Sequence, residues 1–239
     1  MTQPNYFRFV RVDESGGGGG GGVPSHEYRH RFANSTGLTE HDRWGGSSNW
    51  QFETETVNSV ADVPYVRPGS NNLYFYWEID DNSSIDTTLN SNAWTVSFWY
   101  NHSGNDFYTN RIGIETGNVR IDRSGNQKFK VKGPWGTGAD TEVSFTNSTW
   151  HHFALVVDKS GSTAKFYLDG TLELDISLTA GNVTSLAHTN GNHIRLYHNN
   201  DGTMGAAPGA NDKFADFRLF SSALTASEIS DVMDDIGSS

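Results

Sequence analysis

The sequence predicts an all-β protein made of two antiparallel sheets packed face to face. The clearest sign lies at residues 150–170, where two segments of alternating apolar and polar residues flank a polar turn, as in a β-hairpin. Short segments of strand character recur between residues 111 and 131, divided by single glycines, which is the spacing of a β-sandwich. Helical periodicity is nearly absent. At 239 residues the chain is long enough for one large all-β domain.

Strand patterns in the first part of the chain stand apart from this hairpin. Residues 6–12 alternate with one aromatic face, and residues 27–32 are expected to return antiparallel to them. Seven glycines at residues 16–22 fall in the loop between the two segments. This run is either a flexible linker or a contact packed against a neighbour, because ordering glycine costs more backbone entropy than ordering any other residue.

Two further segments lead into the main domain. Residues 50–57 alternate again and form either an added sheet or an assembly arm. Residues 63–69, which contain two prolines, are interpreted as the connection that follows. We therefore expect an N-terminal β arm or assembly extension over residues 1–65 and the main domain over residues 66–239.

The main domain begins and ends with apolar segments. Residues 73–79 are apolar on both faces, which indicates a covered strand, and residues 93–101 are expected to lie with them in the core. The last predicted strand is residues 214–220. After it, Thr225 and Glu228 have the spacing of a capping box, in which two side chains satisfy backbone amides reciprocally, so a short C-terminal helix should begin there.

The order of these segments resembles a known family. Residues 150–170 (WHHFALVVDKSGSTAKFYLDG) begin with Trp-His, continue through an apolar strand and a Gly-containing turn, and end in Tyr-x-Asp-Gly. This motif resembles the laminin-G-like, concanavalin-A-like jelly rolls of lectins and glucanases, and residues 93–101 and 214–233 resemble the central and closing segments of that family. The resemblance implies an antiparallel jelly-roll sandwich, here with an added N-terminal β arm and a short C-terminal helix. It implies little about function, because the family includes lectins, adhesion modules, pentraxins, glycosidases and virion proteins.

Composition excludes several classes of function. The chain has 17 basic and 28 acidic residues, for a net charge of −11, and nucleic-acid binding normally needs clustered Lys and Arg. No apolar run approaches the roughly 20 residues that span a bilayer, so membrane insertion is not expected. The chain has no cysteine, which excludes disulfides and thiolate zinc sites. The N-terminus shows no basic segment followed by an apolar one, so no export signal is expected.

A glycosidase is one alternative that the resemblance raises. Laminarinase-type glucanases of this fold carry Glu-Ile-Asp-x-Glu on one strand, and Glu78, Asp80 and Asn82 have that spacing here. The third position departs from the motif, because the amide of Asn82 cannot exchange the proton that a glycosidase acid must transfer. The sequence therefore favours a protein that is not an enzyme, with a strand end leading into a solvated turn at this place.

A loop cation is a second candidate. Asn199, Asn200, Asp201 and Gly202, together with Asp212, offer oxygen ligands of the kind that calcium prefers, and Asp201 and Asp212 are the expected metal ligands. Calcium in such a loop often orients a sugar in the jelly-roll lectins that the chain resembles. Turn chemistry alone also favours Asn, Asp and Gly, so an ordinary long loop is the competing interpretation.

Two aromatic residues in polar loops are candidates for carbohydrate binding. Trp135 lies in a Gly- and Pro-rich turn and Tyr108 follows a polar segment, and exposed aromatic rings can stack on the apolar faces of sugars. Asn199 and Asn200 complete the predicted carbohydrate-binding set. The alternative is an oligomer contact, since Trp and Tyr are also common anchors of interfaces.

Together these observations favour a non-enzymatic structural protein on the surface of a virion, such as a decoration, fibre or tail component of a phage-like particle. Its expected partners are other virion subunits or copies of itself in a homo-oligomer such as a trimer, with cell-surface glycans as further ligands. One alternative is a stand-alone carbohydrate-binding lectin, located outside the cell or on its surface. A glucanase-like glycosidase is the remaining alternative.

Overall fold

The computed structural model describes most of the chain outside several loops and the N-terminus. Tyr108, Asn199, Asn200 and Asp201 lie outside the described residues, as do Asp80, Asn82, the predicted strand at residues 6–12 and the glycine run except Gly22. The described residues are 22–26, 28–32, 42–45, 50–68, 76–79, 83–102, 111–114, 119–124, 128–135, 141–186, 194–196 and 212–237.

The described residues form two antiparallel sheets with few helices, which confirms the predicted sandwich. None of their helices has the length and hydrophobicity of a membrane-spanning segment. In chain order the strands are β1 Tyr28–His30, β2 Asp42–Gly45, β3 Trp50–Val57, β4 Val60–Pro68, β5 Tyr76–Ile79, β6 Ala93–Asn101, β7 Arg111–Ile114, β8 Arg120–Ser124, β9 Lys128–Lys132, β10 Thr141–Ser144, β11 Trp150–Asp158, β12 Thr163–Leu168, β13 Thr171–Ser177, β14 Ile194–Leu196 and β15 Lys213–Phe220. The helices are α1 Ser83–Asn90, α2 Ala180–Ser185 and α3 Ala226–Asp234, the last followed by a 3-10 turn at Asp235–Gly237.

Each sheet has its own strand order. The eight-stranded sheet runs β13-β12-β11-β6-β15-β4-β3, and β1 also pairs with β15. The seven-stranded sheet runs β10-β9-β8-β7-β14-β5-β2. At the centre of the larger sheet, β6 and β11 pair residue for residue along their whole length. The hairpin predicted at residues 150–170 is β11 and β12, so it belongs to the middle of this sheet.

The main core lies between the two sheets. Side chains alternate along each strand, so every second residue of β11 faces the other sheet: Phe153, Leu155 and Val157 are almost fully buried there. Ile121 and Val131 of the seven-stranded sheet belong to the same buried cluster. Burial stabilises each such large apolar side chain by roughly 1.5 to 3 kcal/mol.

The outer face of the eight-stranded sheet is covered by the C-terminal helix. Ala154, Val156 and Tyr167 form a second buried cluster with Ile229 and Val232 of α3. The predicted capping box begins this helix: the amide of Thr225 donates to a Glu228 carboxylate oxygen at 2.7 Å, and the amide of Glu228 donates to the Thr225 hydroxyl at 3.3 Å. Residues on both faces of β11 are therefore buried. We call the outer face of the eight-stranded sheet, which lies against α3, the helix-covered face.

A bulge in β15 adapts its sequence to these two faces. The register of β15 against β6 shifts between Ala215 and Arg218, and Asp216 has a positive φ of 44°. One extra residue at this point places both Phe214 and Phe217 in the inter-sheet core, which strict alternation forbids for residues three apart. Arg218 is thereby directed to the helix-covered face, where it is fully buried.

Two arginines and two aspartates form a buried network at the end of the helix-covered face. Arg218 contacts the Asp216 carboxylate at 2.6 Å and the Asp235 carboxylate at 2.6 Å, and Arg29 of β1 contacts Asp216 at 2.7 Å. These contacts join β1, β15 and the segment after α3. We refer to Arg29, Asp216, Arg218 and Asp235 as the ionic network.

His152 is a buried, neutral histidine on the same face of the sheet. Its ring is 5.2 Å from that of Trp99, and its Nδ1 has no hydrogen-bond partner among the described residues. Burial lowers the pKa of His152 from 6.5 to about 3, because the interior disfavours the charged form. Neighbouring His151 is directed to the opposite side of the strand, as the alternation predicts.

The first part of the chain differs from its prediction at residues 63–69, which are mostly strand β4 instead of a connection. Residues 28–30 pair with β15 in the main sheet, while residues 6–12, their predicted partner, lie outside the described residues. Val63 and Tyr65 of β4 are buried on the outer face while Val66 lies in the inter-sheet core, an alternation that the two prolines hid from the sequence analysis. Because β4 runs through the predicted boundary after residue 65, strands on both sides of that boundary share one sheet. The division into two domains stays a prediction.

Helices α1 and α2 were not predicted. The cap of α2 uses Asn182 in place of the usual Glu or Gln: the amide of Asn182 donates to the Thr179 hydroxyl, and the amide of Thr179 donates to the Asn182 side-chain oxygen. Helix α1 follows the predicted turn after residue 79. Leu89 and Leu186, which lie in or just after these helices, contribute to the inter-sheet core.

Candidate functional site

Hydrogen bonds of Asp169 join the two ends of the family motif at residues 150–170, and we call these contacts the structural lock. Asp169 and Gly170 both have positive φ angles, of 50° and 75°, at the turn that ends β12. The Asp169 carboxylate accepts from the amide of His152 at 2.8 Å and lies 2.7 Å from Nδ1 of His151. Burial acts to raise the pKa of Asp169, but its hydrogen bonds with His151 and with the His152 amide outweigh that effect and lower the pKa. The Trp-His and Asp-Gly ends of the motif are therefore linked by hydrogen bonds, which explains why the motif is typical of this fold.

The outer face of the seven-stranded sheet has a different character. Along β9, Lys128, Lys130 and Lys132 are partly exposed and alternate with the buried residues Phe129 and Val131. The three lysines therefore lie on the side of the sheet that faces away from the core. We call this surface the charged face.

A carboxylate on β10 is shared by two of these lysines. Nζ of Lys128 lies 2.8 Å from one oxygen of Glu142, and Nζ of Lys130 lies 3.3 Å from the other. The side chains of Lys128 and Glu142 remain 42% and 33% exposed. One negative charge thus faces two positive charges at a surface that water can reach.

The strand register extends the charged face across the sheet. Arg111 pairs with Asp122, which pairs with Lys130, and Arg120 pairs with Lys132. Further along the sheet, Glu78 pairs with Arg43 on one side and with Arg195 on the other. All of these positions are one residue away from the row that contains the buried Ile121 and Val131, so they share the outer face.

The glucanase-like segment lies in this sheet. Glu78 occupies β5, between two arginine positions in the register, while Asp80 and Asn82 lie outside the described residues. The interpretation of this segment as a strand end that leads into a turn stays a prediction.

Trp135 lies half-buried against the inter-sheet core at the turn after β9. Its indole nitrogen is buried without a hydrogen-bond partner among the described residues, and a Cβ on Gly133 would lie only 2.3 Å from the ring. The neighbouring carbonyl of Pro134 accepts a hydrogen bond from the side-chain amide of Asn182. The ring is therefore more buried than the sequence analysis expected, and its role in sugar binding stays a prediction, as do the roles of Tyr108, Asn199 and Asn200.

Asp212 is fully buried beside the inter-sheet core. One of its oxygens lies 2.7 Å from Nδ1 of His102, and the other accepts from the Tyr100 hydroxyl at 2.9 Å. Engagement of both oxygens within the protein disfavours Asp212 as a calcium ligand, since calcium needs several oxygens directed at one point. In the part of the chain that the structure describes, no three His, Cys, Asp or Glu side chains are gathered to hold a metal ion. Its expected companion Asp201 lies outside the described residues.

Sequence reasoning missed the charged face as a unit. The signal for part of it is present in β9, where KFKVK alternates lysine with apolar residues. The other basic positions come from four separate strands, and only the register shows that they share one face. Single charged residues on a strand are otherwise ordinary solvent-facing positions.

Comparison with known proteins gives a family and a fold. Residues 74–230 match the family described as the concanavalin A-like lectin/glucanases superfamily. None of the curated proteins matches the sequence significantly. Similar solved structures include the receptor binding domain of botulinum neurotoxin C/D mosaic serotype, with a TM-score of 0.58 at 14% identity over 86% of this chain and 50% of that one. The binding domain of botulinum neurotoxin serotype D has a TM-score of 0.55 at 15% identity over 87% of this chain and 51% of that one.

These likenesses support the same fold over a wider range than the family match. The chain spans about half the length of the solved structures that it resembles. At this level of identity they show the fold alone, and the matched part of this chain extends beyond residues 74–230. Because the family match covers more than half of the sequence and the two sheets have the expected arrangement, the chain belongs to the concanavalin A-like lectin/glucanase superfamily.

Proposed function

We propose that this protein is a non-catalytic, lectin-like module that binds carbohydrate through the charged face and the loops beside it. The observation that carries the proposal is the difference between the two outer faces. Helix α3 and the ionic network close the helix-covered face. Among the described helices, α1 and α2 contribute Leu89 and Val183 to the inter-sheet core instead of covering the charged face.

The family and the similar structures support a binding role. The family name joins lectins and glucanases, so carbohydrate is the ligand common to both. Two of the similar structures are described as a receptor binding domain and as a binding domain in complex with rat synaptotagmin II. A jelly roll of this kind can therefore serve as a recognition module, and the charged face offers polar side chains for that purpose.

The described His–Asp pairs support a role without catalysis. His102 and Asp212 are fully buried, so a substrate has no access to them. His151 and Asp169 are occupied in the structural lock, where the histidine also contacts Thr146 at 2.9 Å. The Glu78 segment has an amide, Asn82, at the position where the glucanase motif has a carboxylate that transfers a proton.

A glycan array followed by titration calorimetry tests the binding role, with hydrolysis of a β-glucan panel as the companion measurement. We expect binding to at least one class of glycan and no release of reducing ends. Hydrolysis that disappears in Glu78→Gln would instead establish a glycosidase. Trp135→Ala tests the aromatic platform, with circular dichroism as the control for folding because the ring packs against the core.

We further propose that the module acts on the surface of a virion, in a homo-oligomer. Jelly rolls of this superfamily include virion proteins, and a chain without cysteine needs no oxidative step to assemble. Mass spectrometry of purified particles tests the location, and sedimentation tests the oligomeric state. Absence from every particle together with glycan binding would identify a stand-alone lectin, outside the cell or on its surface.

A further inference from the structure

We propose that the charged face binds an anionic polysaccharide, whose sugars carry carboxylate or sulfate groups. This inference rests on the proposed carbohydrate-binding function and names the class of glycan. Its basis is the way in which the fold separates the charges of an acidic chain.

The two sheets carry opposite charge balances. The chain as a whole has 17 basic and 28 acidic residues. The strands of the seven-stranded sheet contain eight basic and four acidic residues. The strands of the eight-stranded sheet contain five basic and seven acidic residues. Nearly half of the basic residues of the protein are thus collected in one sheet.

The register places seven of these eight basic residues on the outer face. Each one is displaced by one position from the row of the buried Ile121 and Val131, and strand residues one apart lie on opposite faces. They come from five of the seven strands, so the basic positions extend across the sheet. They are Arg43, Arg111, Arg120, Lys128, Lys130, Lys132 and Arg195.

This arrangement suits a linear polyanion. Neighbouring strands lie about 4.8 Å apart, so charges in adjacent strands recur at short intervals along a line across the face. Lys128 and Lys130 share the carboxylate of Glu142, so these three side chains carry two positive charges and one negative charge. An extended polysaccharide with one acidic group in each repeat could place several of its anions along such a line.

Nucleic acid is a poorer fit to the same face. Carboxylates occur at Glu78, Asp122 and Glu142 among the basic positions. A polysaccharide can present hydroxyl groups to these carboxylates and its anions to the lysines, whereas binding of nucleic acid depends mainly on its phosphates.

Titration of the full chain with three dextran-based and uronic polymers tests this inference. Dextran sulfate and polygalacturonate supply the anions, and neutral dextran is the matched control. We expect both anionic polymers to bind more tightly than dextran, with an affinity that falls as salt rises, because exposed charges are screened within about 8 Å at physiological ionic strength. The double change Lys128→Gln and Lys130→Gln should weaken binding on the order of tenfold.

Two variants sharpen the test. Lys165→Gln removes a lysine from β12 of the other sheet and should leave the affinity unchanged within about twofold, which controls for net charge. Glu142→Gln removes the shared carboxylate and should strengthen binding of the anionic polymers. Circular dichroism and thermal melting establish that each variant is folded.

The outcomes separate this inference from the function on which it rests. Binding of neutral glycans that survives the double lysine change overturns the anionic specificity and leaves the carbohydrate-binding function standing. Failure to bind any glycan overturns both. Tighter binding of a single-stranded oligodeoxynucleotide than of dextran sulfate would assign the face to nucleic acid and also overturn the inference.

Discussion

The outer faces of the two sheets differ in how far their side chains are buried. On the helix-covered face, Val156 is only 4% exposed and packs in the same cluster as Ile229 of α3. On the charged face, Lys128 and Glu142 pair at the surface while remaining partly exposed. Ion pairs occur on both faces, but Arg218 is fully buried and Lys128 is 42% exposed.

This difference shows which surface is available for recognition. On the helix-covered face the charged groups of the ionic network pair with one another inside the protein, so changing them should alter stability first. Polar groups on the charged face remain hydrated and contribute little to stability, since exposed ion pairs are worth about 0 to 1 kcal/mol. A surface whose residues can vary at little cost to folding is suited to carry specificity.

The largest expected effect comes from deleting residues 1–64. If residues 1–65 were an arm separate from the main domain, the deletion variant would still fold. The structure indicates otherwise, because the deletion removes β1, β2, β3 and more than half of β4. It also uncovers Val66 and Phe217 and takes Arg29 from the ionic network. We expect loss of the cooperative unfolding transition in thermal melting.

A deletion of residues 1–21 alone is the matched control, since it keeps every described strand. This shorter deletion should retain the transition. If deletion of residues 1–64 leaves a protein that still melts cooperatively, the larger sheet does not depend on its first strands.

Introducing asparagine at one position on each outer face tests the comparison directly. Val156→Asn places a polar amide beneath α3 and should lower the free energy of unfolding by about 3 kcal/mol or more. Lys130→Asn makes the equivalent change on the charged face and should cost about 1 kcal/mol or less, mainly through weaker strand propensity. Urea denaturation measures both values, and equal losses would show that the two faces do not differ in burial.

Breaking a buried ion pair should cost more stability than breaking an exposed one. Arg218→Met leaves the carboxylates of Asp216 and Asp235 with one cation fewer in a buried setting and should cost roughly 3 to 5 kcal/mol. Arg67→Met removes a partner of Glu53, whose side chain is 39% exposed, and should cost less than about 1 kcal/mol. Denaturant midpoints of the two variants, measured at one pH, test this ranking.

Acidification should lower the free energy of unfolding, because His152 is buried on the helix-covered face. Its pKa is about 3 in the folded protein and near 6.5 in the unfolded chain, so between these values the unfolded state binds a proton that the folded state does not. The contribution is complete above pH 6.5 and is lost as the pH falls toward 3, by at most about 1.4 kcal/mol per pH unit.

The window between pH 6.5 and 5 isolates histidine, because the carboxyl of Asp169 titrates lower in both states. Burial and the neighbouring Arg218 and Arg29 also lower the pKa of His26, which adds a slope of the same sign. His152→Gln should therefore show a shallower loss of unfolding free energy than the unchanged protein. Parallel pH profiles of the two proteins would mean that His152 is accessible to protons in the folded state.

The sequence predicted the centre of the fold well, because the pattern there is local. Residues 150–170 alternate cleanly around one turn, and the capping box at Thr225 and Glu228 needs only four residues to be recognised. The buried alternation in β6 and β11 could likewise be read along each strand. Such features depend on spacing alone.

The features that the sequence analysis missed depend on pairing between distant strands. The partner of β1 is β15, nearly 190 residues later, and no local pattern distinguishes it from a neighbouring hairpin strand. In β15 the spacing of Phe214 and Phe217 breaks strict alternation, which hints at a bulge, but its position at Asp216 requires the register against β6. The charged face is of the same kind, since its rows exist only once seven strands are in order.

The ionic network also governs how the molecule is presented when it is attached to a support. Asp235 bonds to Arg218, and Ile236 packs on the outer side of the eight-stranded sheet, so the chain reaches its last described residues on that side. A tether through the C-terminal residues therefore approaches from the helix-covered face. Copies held in this way on a bead, a sensor chip or a larger assembly would share one orientation, with the charged face turned outward to the medium.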